Sequence, residues 1–430
     1  MSLDLIVRDV TLPDGRKRQD VAVVAGRIAA IEPGIDAQAA QTIDGRGYLL
    51  SPPFVDSHFH MDATLSLGLP RLNVSGTLLE GIRLWGELKP QLAHEAVAER
   101  ALRYCDLAVS QGLLAIRSHV DVCDDRLLAV EALIEVRKQV KPYLDLQLVA
   151  FPQDGYLRSL NAARNLERAL DLGVDVVGGI PHFERTMADG AASVKALCEV
   201  AAKRGLMVDL HCDESDDPLS RHIETLAAEA QRLGLGGRAT GSHLTSMHSM
   251  DNYYVSKLLP LIAEAGINAI ANPLINLTLQ GRHDSYPRRR GLTRIAEMRA
   301  HGVPVALGQD CCMDPWYGLG GADMLDVAHI AVHGAPMTSH EAIRWTFDAV
   351  TGIPARILGL EGYGLAAGAN ADMVLLQAVD PIEAVRLRAT RLFVIRRGKV
   401  VARTPARETE LSLTGRPARL DPASYAPAAV

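Results

Sequence analysis

The chain has 430 residues, 48% hydrophobic and 22% charged, with a formal net charge of −6. That is an ordinary globular composition, long enough for a large core with an appendage, and its acidic balance excludes a general attraction to nucleic acid or anionic membrane. The six cysteines (Cys105, Cys123, Cys198, Cys212, Cys311, Cys312) lack ligand spacing, and neither an apolar signal core nor an 18-residue apolar run occurs, so a cytoplasmic protein without disulfides is expected.

Residues 4–10 (DLIVRDV) and 21–31 (VAVVAGRIAAI) are β-rich, with a turn at PDGRK between them, and AGRIAAIEPG reads as a hairpin. Eight short apolar runs follow: PPFVDSHFH (52–60), LLAIRSHVD (113–121), LDLQLVAFPQ (144–153), VDVVGGIPH (174–182), LMVDLHCDE (206–214), RATGSHL (238–244), INAIANP (267–273) and VPVALGQD (303–310). Segments of helical period separate them at 94–111, 127–140, 159–171, 190–204, 219–233 and 253–265. Strands alternating with helices predict an α/β fold, a TIM-like (β/α)8 barrel. The first crossover, LSLGLPRLNVSGTLLEGIRLWGELKP, is long and irregular enough to wrap over the barrel top. An open doubly wound sheet is the runner-up, but no GxGxxG follows the first strand, and LGLGG at 233–237 lies after a helix and before a strand. The chain closes on short strands in ADMVLLQAVD, RLFVIRRGKVVA and RETELSLTG. The expected organisation is a barrel over 54–368 and a small β domain built from both chain ends, 1–53 and 369–430. Two unrelated terminal β domains are the alternative.

Parallel barrel strands are buried on both faces, and the active site forms at their C-terminal ends. Strand 1 ends in His58 and His60, strand 3 in Phe151-Pro152-Gln153, and strand 5 in His211 followed by Cys212, Asp213 and Glu214. Strand 6 ends in His243 and strand 8 in Asp310. Residues i and i+2 share a face of a strand, so His58 and His60 can both face the axis. His211 joins them from roughly across the barrel, and Asp310 from the strand that adjoins strand 1 on closure. Three or four imidazoles with a carboxylate suit one divalent ion, Zn2+ or Fe2+. His243 is either a fourth ligand or a catalytic partner. Glu214 can reach a substrate atom without touching the metal, which leaves two carboxylates for acid and base work. His119 and His182 also end strands, and pocket-lining, orienting and structural roles all stay open for them.

The segments PPFVDSHFHMDAT, SGTLLEGIRLW, QLVAFPQDG, VVGGIPHFE, DLHCDESDD, GSHLTSMHSM, ANPLINLTLQGRHDSYPRRRG and DPWYGLG closely resemble those of bacterial cytosine deaminases of the amidohydrolase superfamily, across nearly the whole chain. The small zinc cytidine deaminases differ: His222-Ile223-Glu224 fits their H-x-E, but no P-C-x-x-C exists here. The resemblance implies that His58, His60, His211 and Asp310 ligate a single ion, and no strand end offers the lysine of two-metal relatives. It further implies that His243 polarises the attacking water and that Glu214 carries a proton to ring nitrogen N3. Gln153 would read the carbonyl and ring edge of the base, with Phe151, Trp316 and Leu78 also contacting it. The implied reaction yields uracil from cytosine, or thymine from 5-methylcytosine, plus ammonia. The substrate is a free pyrimidine base in a salvage role, and the resemblance implies a homo-oligomer.

One departure stands out. Family members that handle cytosine commonly read GHDD at the end of strand 8, whereas this chain reads Gly308-Gln309-Asp310-Cys311. A thiol in place of a carboxylate removes a buried charge beside an apolar substituent. Cys311 is therefore expected to admit a C5 methyl group and make 5-methylcytosine a good substrate. Isocytosine or another amino-azine, a cyclic-amide substrate, and an inactive binding protein are the competing readings.

Overall fold

The computed structural model describes residues 3–425. Five strands precede the first predicted barrel run's histidines: β1 (Leu3–Val10), β2 (Gln19–Val24), β3 (Arg27–Glu32), β4 (Ala39–Asp44) and β5 (Leu49–Ser51). The eight predicted runs then form β6 (Phe54–Phe59), β7 (Leu113–Asp121), β8 (Asp145–Phe151), β9 (Val176–Gly179), β10 (Met207–Cys212), β11 (Ala239–His243), β12 (Asn268–Ala271) and β13 (Val305–Leu307). They pair in parallel and in chain order from β6 to β13. Closure of the barrel is made at the C-terminal rim, where Phe59 and Asp310 form a parallel bridge. The fold is therefore the expected (β/α)8 barrel. Parallel pairing explains the near-continuous apolar strands, since helices cover the outside of the sheet and side chains fill its lumen.

The helices α1 (Leu78–Leu88), α2 (His94–Ser110), α3 (Leu128–Val140), α4 (Ala162–Asp171), α5 (Met187–Arg204), α6 (His222–Leu233), α7 (Asn252–Glu264) and α8 (Pro273–Leu279) lie between these strands. Their ends follow cap chemistry that periodicity does not encode. α5 begins three residues before its predicted start because the Thr186 side chain accepts from the Asp189 N–H, and it stops at Gly205 with φ +69°. α6 begins three residues later than predicted. The Asp213 carboxylate accepts from the His222 and Ile223 N–H groups and from Ser220 Oγ, which holds 219–221 as loop.

Among the described residues the terminal strands form two four-stranded sheets, in the orders β3-β2-β1-β4 and β16-β15-β14-β5, and one two-stranded pair of Thr409–Glu410 with Arg419–Leu420. Here β14 is Met373–Leu376, β15 Arg391–Arg396 and β16 Lys399–Arg403. β5, from the N-terminal side, pairs antiparallel with β14. Leu5, Val7, Val21 and Leu50 share one apolar cluster with Met373, Leu375 and Ile395, so the two chain ends bury each other's apolar faces. No helix among the described residues is long and apolar enough to cross a membrane.

Candidate active site

The C-terminal rim of the barrel carries a cavity of about 330 Å3. Nine of the residues singled out from the sequence line it: His60, Leu78, Gln153, His211, Glu214, His243, Asp310, Cys311 and Trp316. The other two stand behind it. His58 is fully buried beneath the cavity. Phe151 was expected to touch the base; instead its ring stacks on that of His211, with centroids 4.2 Å apart, and supports the imidazole from behind.

The backbone brings the polar groups together. Asp310 N–H donates to the His58 carbonyl at 2.8 Å, and His60 N–H donates to the Asp310 carbonyl at 3.0 Å. Asp56 pins the same seam, accepting at Oδ1 from the Gln309 N–H (3.0 Å) and the His58 N–H (3.2 Å). Gly308 lets the two strands close, because a Cβ there would lie 2.8 Å from His58 Cβ. Asp213, His243 and Asp310 hold left-handed φ of 58°, 71° and 68°. Such conformations cost non-glycine residues energy and persist where the surrounding structure over-determines them. Each of the three re-aims the chain as it leaves a strand.

The donor atoms converge. His60 Nε2 and His211 Nε2 are 3.0 Å apart. Asp310 Oδ1 lies 3.5 Å from His60 Nε2 and 3.6 Å from His58 Nε2. The edge of a tetrahedron with ligand bonds of about 2.0 Å is roughly 3.3 Å, so these separations are those of ligands around one small ion. Both ring nitrogens of His58 and Nδ1 of His211 are buried without a hydrogen-bond partner. Burial pushes the pKa of His58, His60 and His211 well below the usual histidine value, which keeps the imidazoles neutral with lone pairs free. Burial, then the Glu214 charge, pushes Asp310 well above the usual carboxylate range. A cation is what both trends lack, so a divalent ion fits the donor set.

Around this group sit Glu214, His243 and Cys311. Glu214 is buried and its carboxyl is pushed up to about 8 by burial. Its Oε1 lies 3.3 Å from His243 Nδ1. Asn276, on α8, donates its side-chain N–H to His243 Nδ1 at 3.0 Å and reaches Glu214 Oε1 at 3.5 Å. This amide donor, the shortest to the ring, favours the His243 proton on Nε2, which faces Asp310 Oδ2 at 3.8 Å; Asn272 Nδ2 stands 3.3 Å from Nδ1 and 3.4 Å from Nε2. Cys311 Sγ lies 3.6 Å from Asp310 Oδ1. Burial and the flanking Asp310 and Asp314 carboxylates hold its thiol well above the usual range and therefore neutral.

His119 packs its ring 4.2 Å from that of His58, with Nε2 3.7 Å from Asp209 Oδ1. His182 Nδ1–H donates to the His211 carbonyl at 2.8 Å. Both therefore stand behind the cavity, against the donor set. His222, in the H-x-E match, pairs with Asp213 at 2.7 Å. The sequence reading missed Asn276, Asp56, Ile180, Ile275 and Leu279. The first two had a signal: Asn272 and Asn276 stand four apart across the start of α8, and Asp56 stands two before His58, one strand repeat away.

A sequence model of the amidohydrolase family matches residues 41–404. The chain belongs to that family. Two structures of 5-methylcytosine deaminase from Klebsiella pneumoniae, liganded with 5-fluorocytosine and with phosphonocytosine, superpose on this amidohydrolase with a TM-score of 0.91 at 41% identity. The alignment covers 94% of this chain and 98% and 99% of those chains. This amidohydrolase is also 31% identical to pterin deaminase of Rhizobium rhizogenes, over 91% of this chain and 89% of the relative. N-isopropylammelide isopropyl amidohydrolase of Pseudomonas sp. (strain ADP) is 27% identical over 93% of this chain and 97% of its own length. The resemblance read from the sequence motifs thus extends through the fold.

Proposed function

We propose that this amidohydrolase deaminates a free cytosine-like pyrimidine by hydrolysis, with 5-methylcytosine ahead of cytosine. The observation that carries the reading is a protonatable carboxyl, Glu214, beside a neutral His243 and a convergent donor set of His60, His211 and Asp310 in the cavity that holds Gln153 and Cys311, with His58 beneath it. A divalent ion, Zn2+ or Fe2+, held by His58, His60, His211 and Asp310 would supply Lewis-acid activation of a water.

The protein's own groups do the rest. Gln153 binds the polar edge of the ring and sets its orientation. Glu214 donates a proton to N3, which makes C4 electrophilic. Asp310 takes a proton from the attacking water as its oxygen bonds to C4. His243 donates from Nε2–H to that oxygen as charge develops on it. The proton held by Asp310 then passes to the exocyclic amine, the C4–N bond breaks, and ammonia leaves. The remaining water proton, on the oxygen now bonded to C4, passes to Glu214 as the C4 carbonyl forms, so N3 keeps its hydrogen and Glu214 ends protonated. The product is uracil or thymine.

Cys311 gives the preference for 5-methylcytosine. A neutral thiol accepts a methyl neighbour, whereas a third carboxylate beside Asp310 and Asp314 would demand water or a proton. The Klebsiella relative's named substrate supports this choice. The same proposal takes residues 54–368 as the catalytic barrel, with 1–53 and 369–430 as its β appendage, in a cytoplasmic homo-oligomer serving base salvage. The test is kcat/KM of metal-replete protein on cytosine, 5-methylcytosine and isocytosine. 5-Methylcytosine leads on this account; isocytosine leading, or no turnover of the three, contradicts it.

A further inference from the structure

We infer that Gly81 is the positioning residue that sets the height of the substrate cavity, by letting the Trp316 indole pack close against α1. The inference deepens the proposed function, since it concerns the fit of the pyrimidine in that cavity.

Gly81 is buried at the end of the first turn of α1, a helix of the long first crossover. A Cβ at this position would lie 2.3 Å from Trp316 Cδ1, 2.5 Å from Nε1 and 2.8 Å from Cγ. No real Cβ tolerates such contacts, so the indole occupies the space that a side chain at 81 would take. Trp316 lines the cavity on its other side, with its ring centroid 6.3 Å from that of His60. Leu78, one turn earlier on α1, lines the cavity as well.

Neither partner can retreat. The backbone at 316 is fixed because Asp314 Oδ1 accepts from the Trp316 and Tyr317 N–H groups, both at 2.9 Å. The helix is fixed because Trp85 Nε1–H donates to Asp121 Oδ2 at 2.8 Å. The loop that leads into α1 is also tied to the segment that carries Trp316. Leu65 N–H donates to the Cys312 carbonyl at 3.1 Å, Leu67 N–H to the Met313 carbonyl at 2.8 Å, and Asn73 Nδ2 to the Pro315 carbonyl at 3.1 Å. With both backbones held, a methyl group at 81 drives the indole off the helix and into the cavity. The cavity is small already, with little room between the Trp316, His60 and Leu78 side chains that line it. Gly81 therefore limits which ring substituents fit, without touching substrate.

The test is Gly81→Ala, alone and with Trp316→Ala. Alanine favours the helix over glycine, and unchanged circular dichroism and metal content establish that the fold and donor set are intact. The single variant is expected to raise KM for the preferred pyrimidine about tenfold, within the range that one methyl group commands in a tight pocket. kcat is expected to change far less, and a 5-methyl base to lose more than the unsubstituted one. In the Trp316→Ala background the same substitution is expected to have no further effect on KM, because the clash is gone. A substrate-independent readout accompanies this: with 5-fluorotryptophan incorporated, the 19F resonance of residue 316 moves in Gly81→Ala while that of Trp345 does not. Unchanged KM and an unmoved 316 resonance overturn the inference, as does an equal effect of Gly81→Ala with and without the indole. If the wild type turns over no pyrimidine, the proposed function fails by itself, and the 19F readout still decides where the indole goes.

Discussion

Asp310 is hydrogen-bonded through its backbone to the strand that carries His58: its N–H meets the His58 carbonyl at 2.8 Å, and its own carbonyl takes the His60 N–H at 3.0 Å. The two bonds that close the barrel are thus the two that set the carboxylate against the imidazoles. Donor positions become a property of the fold, and no loop rearrangement is needed to assemble them. Sites held this way by rigid elements keep their geometry within the narrow limits that ligation and catalysis require.

The donor set should behave as a single unit. His211→Ala is expected to lower metal affinity by more than about 100-fold, beyond what groups standing behind ligands usually contribute, and to abolish turnover. Metal analysis of purified variant and wild type checks this. Retention of one tightly bound ion per chain by the variant would show that His211 is not a ligand.

Glu214 should act as an acid, which gives the pH dependence its sign. A carboxyl raised to about 8 is protonated below that pH and competent to donate. The charge of a bound ion pulls the value down, so kcat/KM should fall as pH rises through an apparent pKa at or below about 8. Glu214→Gln should lose about 100- to 10,000-fold in kcat, the usual share of a general acid, and keep its metal. A pH–rate profile whose alkaline limb is unchanged by the substitution would assign that limb to another group.

Cys311→Asp should reverse the preference between bases. A carboxylate there would stand beside Asp310 and Asp314, whose own carboxyl is already pushed up to about 6 by burial. The ratio of kcat/KM for 5-methylcytosine to that for cytosine should drop by about 10- to 200-fold, the range for one methyl group in a fitted pocket. An unchanged ratio would reduce Cys311 to packing.

Asn276 should matter through His243. Its amide N–H meets the buried Nδ1 at 3.0 Å and favours the proton on Nε2. Asn276→Leu removes that bond, the 3.5 Å contact to Glu214 Oε1 and the bond that Asn276 Oδ1 accepts from the Asn272 N–H at 3.2 Å, each worth about 1 kcal/mol, and frees the proton to move to Nδ1. kcat is expected to fall about tenfold or more with KM little changed. A rise in KM at constant kcat would point to substrate contact instead.

How much of this was legible in the sequence depends on the scale of the feature. The eight barrel strands and the helices between them follow from local periodicity, because each element buries its own apolar stripe. His58, His60, His211, His243 and Asp310 could be placed at strand ends because that position follows from the same periodicity. Ring and backbone detail was not legible. Phe151 ends its strand as Gln153 does, yet it turns behind His211, and nothing in the sequence separates the two outcomes. The positive φ of His243 and Asp310 is imposed by the packing of neighbouring strands and has no local signature. The late start of α6 follows from the Asp213 side chain, a contact across nine residues. Gly81 looks like any helix glycine until Trp316, 235 positions away in the chain, is laid against it.

The most direct test of the account is to incubate protein of measured metal content with 5-methylcytosine in 18O-labelled water and to quantify both products. The account predicts one ammonia and one thymine per base consumed, with the label in the C4 carbonyl, and loss of both products on chelation. Metal-replete protein that releases no ammonia from 5-methylcytosine or cytosine, or that yields product without the label, would contradict it.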